Sequence, residues 1–153
     1  MARIVKMTTQ QANEYLDWQY SEPYTFYNFP TSVNRIDLLN ELLAGISDYY
    51  AILDDADQLF GIYEYQFHNG ILEIGLGIRP KDTGKGFGTQ FVQQCLAFAQ
   101  QHYHYFGKVT LEVASFNQRA IHLFHILGFN KTGEREGQSF GKPVTFVKMS
   151  RIQ

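Results

Sequence analysis

The chain has 153 residues, the size of one ordinary domain and too short for two independent cores. Thirteen Lys and Arg against fifteen Asp and Glu give a formal charge of −2, which argues against nucleic-acid binding by counterion release, since that needs a basic stripe. A small cationic or amine substrate stays open. Hydrophobic residues at 44% and charged residues at 18% fit a globular protein far from disorder. Cys95 stands alone, so neither an internal disulfide nor a Cys-rich zinc site can form, and a reducing cytoplasm is the simplest setting. The first residues lack the apolar core of a signal peptide, and no run approaches a membrane span. Aromatic residues make up 16%, and several of them cluster.

Ile4–Met7 reads as a strand. Thr8 and Gln11 have capping-box spacing, with Ala12, Tyr15 and Leu16 on one stripe of the helix that follows. Residues 18–30, bounded by Pro23 and Pro30, form an irregular connection rich in Trp18, Tyr20, Tyr24, Phe26, Tyr27 and Phe29. A second helix is predicted from Thr31 or Ser32, with Ile36, Leu39, Leu43 and Ile46 on one face and Gly45 near its end. Strands Tyr49–Leu53, Leu59–Phe67 and Ile71–Ile78 follow as a meander, joined by a polar loop and by the Asn69-Gly70 turn. The glycine-rich stretch Asp82–Gly88 leads into a helix that buries Phe91, Val92, Cys95, Leu96, Phe98 and Ala99. Lys108–Val113 is a strand. Ser115 and Gln118 have capping-box spacing before a helix with Ala120, Leu123, Phe124 and Leu127 in phase, closed by Gly128. Strands Phe129–Thr132 and Val144–Met149 end the chain. The order β-α-α-β-β-β-α-β-α-β-β predicts one mixed α/β (α+β) domain over residues 1–153. Its helical crossover makes Ile71–Ile78 and Lys108–Val113 parallel.

Gly84, Gly86 and Gly88 alternate directly before a helix. Backbone N–H groups there can approach an anion closely, the helix dipole adds positive potential, and Lys85 adds a cation. A Walker A loop is excluded, because Gly86 stands where Ser or Thr would hold magnesium; the glycine spacing does not fit the dinucleotide fingerprint either.

Ile78-Arg79-Pro80 with Thr83-Gly84-Lys85-Gly86-Phe87-Gly88 resembles the acetyl-CoA loop of the GNAT acetyltransferase superfamily, Q/R-x-x-G-x-G/A. Farther on, Asn117 to Ala120, Leu123-Phe124 and Gly128-Phe129 are similar to its second motif, N-x-x-A-x-x-L-Y ending in G-F. Glu73-Ile74-Gly75 and Phe146–Met149 look most like the branch of ribosomal-protein N-terminal acetyltransferases. The resemblance implies an acetyl-CoA-dependent N-acetyltransferase whose amine acceptor, a small molecule or a peptide N-terminus, attacks directly in a ternary complex. It implies that Gly84, Lys85, Gly86, Phe87, Gly88 and Thr89 receive the pyrophosphate. The pantetheine arm would pair with the backbone of Leu76, Gly77 and Ile78, where Gly75 and Gly77 let the parallel strands splay, and Asn117 would contact that arm. An N-cap is the alternative role for Asn117.

Two departures stand out. Thr83 replaces the Gln or Arg that opens the family's loop. Phe124 replaces a Tyr whose hydroxyl protonates the leaving thiolate in the family. A thiol of pKa about 8.5 still leaves without help, more slowly.

Glu73, on the strand beside the cofactor arm, is the candidate base for the attacking amine, with Glu64 and Glu112 behind it. The family's corresponding loop walls the acceptor pocket, so Trp18, Glu22, Tyr24 and Tyr27 are candidates for cradling a cation; a loop packed down by its own aromatics is the plain alternative. His122 and His125 lack a third ligand, so no metal is expected. His102 and His104 end a helix, and Cys95 reads as packing. Neither nucleic acid nor membrane is expected as a partner; a homodimer is allowed. The rival readings are a CoA-binding module with little turnover and a general nucleotide- or phosphate-binding domain.

Overall fold

The computed structural model describes residues 3–153. Its strands are β1 (Arg3–Lys6), β2 (Asp48–Leu53), β3 (Leu59–His68), β4 (Ile71–Ile78), β5 (Lys108–Ala114), β6 (Asn130–Ser139) and β7 (Lys142–Ile152). Its helices are α1 (Thr9–Leu16), α2 (Arg35–Leu43), α3 (Gly88–Tyr103) and α4 (Gln118–Ile126), and the element order is the predicted one apart from two short 3-10 turns. The strands form a mixed seven-stranded sheet in the order β1-β2-β3-β4-β5-β7-β6, with β4 and β5 parallel. The contacts divide the chain into two compact units. One runs to Gln66 and includes Leu76–Gly84; the other takes Phe67–Gly75 and Lys85–Gln153.

In the first unit α1 starts as its sequence dictates. Thr8 accepts from the Gln11 amide while Gln11 reaches back to the Thr8 amide, a complete capping box. Met7, Ala12, Leu16, Leu38, Leu42, Ala51, Leu53, Leu59 and Ile62 make the core. Helix α2 corrects the sequence reading in two ways. It begins after Asn34, whose side chain accepts from the Asp37 amide, and not at Thr31 or Ser32. It also buries Leu38 and Leu42, leaving Ile36 at 67% and Ile46 at 70% exposure, with Leu43 exposed as well. Five Ile and Leu residues in nine positions offer two apolar faces, and packing against β2 and β3 residues in the core selects one of them.

In the second unit Leu72 and Glu73 pair with Val109 and Thr110 in parallel register, as the crossover requires. Phe91, Val92, Cys95, Leu96 and Ala99 form the buried stripe of α3, while Phe98 is half-buried and stacks on His102. Helix α4 is capped by Asn117, which accepts from the Ala120 amide at 3.2 Å; Ser115 does not cap it. Strands β6 and β7 are longer than predicted and pair from Asn130↔Ser150 to Ser139↔Lys142, whereas Phe129 precedes the strand as a fully buried core residue. Among the described residues no helix is long and apolar enough to cross a membrane.

Candidate active site

The proline-bounded connection of the first unit folds onto its own rings. Tyr15 meets Trp18 edge-on at 5.3 Å and Phe29 at 5.2 Å, and Tyr27 meets Tyr20 at 6.4 Å and Phe26 at 5.5 Å. Asn28 clasps Tyr20 by bonding both its amide and its carbonyl. Tyr24–Tyr27 is a 3-10 turn with no fully buried residue. Glu22 is exposed and accepts from the Thr25 hydroxyl at 2.9 Å. The connection is thus held both by aromatic packing and by short-range hydrogen bonds.

Two of its residues reach the end of β4. The Tyr20 hydroxyl donates to the Ile78 carbonyl at 2.7 Å. A side chain added at Gly77 would meet Ile62 at 3.4 Å and Trp18 at 3.8 Å, ordinary contact distances, so Trp18 lies over the bare strand backbone. Burial and neighbouring charge push the Tyr15 and Tyr20 phenols up, with burial the larger cause. Both stay neutral.

Arg79 anchors the segment that leads to the glycines. It bonds Asp82, pairs with Asp54 at 2.9 Å and donates to the Leu59 carbonyl at 3.3 Å, while its guanidinium sits 5.3 Å from the Phe60 ring centre. Burial alone would lower its pKa, but the bonds to Asp82 and Asp54 outweigh that and hold the guanidinium charged. Asp82 is buried, at 9% exposure. Thr83, where the family has Gln or Arg, turns its hydroxyl back to the Pro80 carbonyl at 2.8 Å.

Asp54 gives this network a pH signature. The Gln58 amide, then Arg79 and the Ala56 amide, hold its carboxyl below the usual range, against some opposing burial. A depressed folded-state pKa stabilises the fold above the unfolded value of about 3.9 and loses that contribution as pH falls through the folded value. Asp54→Asn should therefore be less stable than wild type near pH 6, with the gap narrowing toward about pH 3. Urea denaturation at both pH values checks this; a gap that widens in acid would contradict it.

Gly84 and Gly86 take φ of 72° and 86°, left-handed values that favour glycine. At Gly86 an added Cβ would meet nothing within 4 Å, so the approach to this backbone is open.

In the second unit, α3 opens at Gly88 with no side chain capping its N-terminus, which leaves first-turn amides for another acceptor. A Cβ on Gly88 would come 2.7 Å from Leu123 Cδ2, so this glycine lets α4 pack closely. Lys85 and Thr89 are exposed, and Phe87 is 43% exposed. Asn117 takes the capping role; Phe124 is the buried residue of α4, with 8% exposure, edge-on to Phe129 at 5.6 Å.

The three candidate carboxylates have different surroundings. Glu73 lies 2.9 Å from His68 Nε2 and is about one-third exposed. Glu112 is gripped by both nitrogens of the Arg135 fork at 2.9 and 3.0 Å, which holds its carboxyl below the usual range. A carboxylate so held is a poor proton acceptor. Glu64 pairs across strands with Tyr49, whose phenol is hydrogen-bonded to it and pushed up, mainly by burial.

Two partners escaped the sequence reading. The Asn69-Gly70 turn implies that His68 lies diagonal to Glu73, a signal that was available. The Tyr49–Glu64 pairing was not, because the β2–β3 register shifts between Ile52 and Leu53.

Residues 9–129 match the Acetyltransferase (GNAT) family. Among curated proteins none matches the chain by sequence. Spermidine N-acetyltransferase from Vibrio cholerae in complex with CoA and spermine superposes with a TM-score of 0.80 at 21% identity, over 99% of this chain and 95% of that one. A chimera of the Vibrio cholerae enzyme SpeG and hSSAT gives 0.81 at 18% identity over the same shares. At such identities the likeness establishes the fold, and the family match carries the rest: the chain belongs to the GNAT acetyltransferase family, as an N-acetyltransferase with acetyl-CoA as co-substrate.

Proposed function

We propose that this protein transfers the acetyl group of acetyl-CoA to a primary amine by direct attack in a ternary complex. The observation that carries the reading is the family match over residues 9–129, together with two left-handed glycines and an uncapped helix start in the segment that the motif assigns to the cofactor. On this reading the single domain binds the pyrophosphate through Gly84–Thr89, pairs the pantetheine arm with Leu76–Ile78, and uses Asn117 beside it. Pairing with the strand backbone needs open amides and carbonyls, and Gly77 adds no side chain of its own to that stretch.

The ammonium of the acceptor gives up a proton, with Glu73 as the proton acceptor and His68, 2.9 Å away, as its route to water. The amine nitrogen then attacks the thioester carbonyl, the C–N bond forms as the C–S bond breaks, CoA departs as a thiolate, and the second proton of the attacking nitrogen passes to water to leave the neutral amide. Phe124 offers that thiolate no proton, so it leaves on its own acidity. Trp18, Tyr24 and Tyr27 line the acceptor side, with Glu22 at its rim.

The acceptor class we favour is a polyamine, supported by the fold likeness to an enzyme solved with spermine and by the ring-rich connection. A peptide N-terminus is the other reading, resting on Glu73-Ile74-Gly75 and Phe146–Met149. Mass spectrometry of a reaction offered spermine and a mixture of short peptides in equal amounts decides between them. Acetylated spermine as the main product is expected; acetylated peptide N-termini as the main product would replace the polyamine reading.

A further inference from the structure

Among the half-buried strand carboxylates, Glu64 differs in what it lacks. Asp48 has Lys6, Glu73 has His68 and Glu112 has Arg135, whereas Glu136, whose partner is the Thr145 hydroxyl, lies exposed to solvent. Among the described residues no Lys or Arg pairs with Glu64. Its hydrogen-bond partner is the neutral phenol of Tyr49, which fills one of the carboxylate's roughly four acceptor positions. A half-buried anion with no counter-cation is costly, and a cation supplied from outside would offset that cost.

The surroundings suit such a cation. Tyr15 lies close enough to feel the Glu64 charge and joins Trp18 edge-on at 5.3 Å; Trp18 lies over Gly77, and Tyr20 is tied to the Ile78 carbonyl. Tyr15, Trp18, Tyr20, Tyr49 and Glu64 are all half-buried, so each keeps surface open to solvent. Ring faces attract ammonium groups. Glu41 on α2 also acts on Tyr49, adding a second negative charge to the same neighbourhood.

We propose that Glu64, hydrogen-bonded by Tyr49 and flanked by Tyr15, Trp18 and Tyr20, is the site that holds the ammonium group of an alkylamine acceptor. The proposal rests on the acetyltransferase reading for its biological meaning, although the cation site itself is independent of turnover. It selects charged alkylamines over aryl amines, which are neutral at physiological pH and gain little from an unpaired carboxylate.

Calorimetric titration of spermine into the protein, with and without CoA, tests it. Glu64→Gln should weaken spermine binding by about tenfold or more, the scale of one lost charge-assisted hydrogen bond. It should raise the spermine KM with the acetyl-CoA KM unchanged. Glu64→Asp, which keeps the charge, should recover part of the affinity. Glu14→Gln, on the exposed side of α1, removes an equal charge and should change neither constant. Spermine affinity in folded Glu64→Gln within about twofold of wild type would overturn the proposal, as would wild-type protein with no affinity for spermine. Glu64-dependent binding without thiol release would refute acetyl transfer and leave the cation site standing. Transfer unaffected by Glu64→Gln would do the reverse.

Discussion

Gly86→Val should fold and yet fail to bind acetyl-CoA. Gly86 has φ of 86° with open space around its missing Cβ, so the substitution fills no packed volume but does two other things. It forces a β-branched residue into the left-handed region, at about 1–3 kcal/mol, and it places methyl groups where the pyrophosphate must meet backbone amides. Gly45→Val separates these effects, because Gly45 has φ of 82° and an equally open surround in a segment with no proposed ligand. Ligand at about one hundred times Kd stabilises a protein by about 2.7 kcal/mol, which for a chain of this length raises Tm by roughly 5–10 °C. Wild type and Gly45→Val should both show that rise in saturating acetyl-CoA, the latter from a lower starting point. Gly86→Val should show none. An equal rise in Gly86→Val would remove the loop from the binding site.

Phe124→Tyr should accelerate acetyl transfer. Two effects compete at this position. A hydroxyl placed at a buried ring edge without a partner costs about 1–3 kcal/mol, and Phe124 lies in the interior against Phe129. A positioned general acid contributes about 10²–10⁴-fold to the rate, and the departing thiolate is the group in this reaction without a proton donor. The second effect is the larger in the chemical step. Single-turnover transfer by Phe124→Tyr should therefore be faster by about 10²-fold, with acetyl-CoA affinity nearly unchanged and a lowered Tm. A variant that folds, binds acetyl-CoA and reacts no faster would show that Phe124 serves packing alone or that another group already protonates the thiolate.

What could be read from the sequence was governed by how local each signal is. The Thr8–Gln11 box, the Asn69-Gly70 turn and the α3 stripe are short-range patterns, and the corresponding elements form within a residue or two of their expected ends. Helix α2 was misread because Ile36, Leu38, Leu39, Leu42 and Leu43 satisfy helical periodicity on two faces; only tertiary contacts choose between them. Strands β6 and β7 were read short because charged residues and Gly133, Gly137 and Gly141 blur the alternation of a hairpin whose first strand is mostly exposed.

The candidate site shows the same division. The glycine loop and Asn117 announce themselves as motifs, whereas the Tyr49–Glu64 pair depends on a bulge. Leu53 opposes Leu59 but Ile52 opposes Gly61, so Phe60 is the extra residue. Counting back from the hairpin loop without that bulge would place Tyr63 opposite Tyr49 and turn Glu64 to the other face. The bulged Phe60 accepts the Arg79 amide at 2.8 Å and carries its guanidinium on the ring face. One local irregularity thus accompanies both the anchoring of the loop and the presentation of Glu64.

The central claim, acetyl transfer from acetyl-CoA to an amine, is tested most directly by following free thiol release from acetyl-CoA with and without spermine. The expected result is release that depends on the amine, saturates with it, and matches acetylated product one for one. Tight binding of acetyl-CoA with no amine-dependent release, under conditions where both ligands occupy the protein, would contradict it.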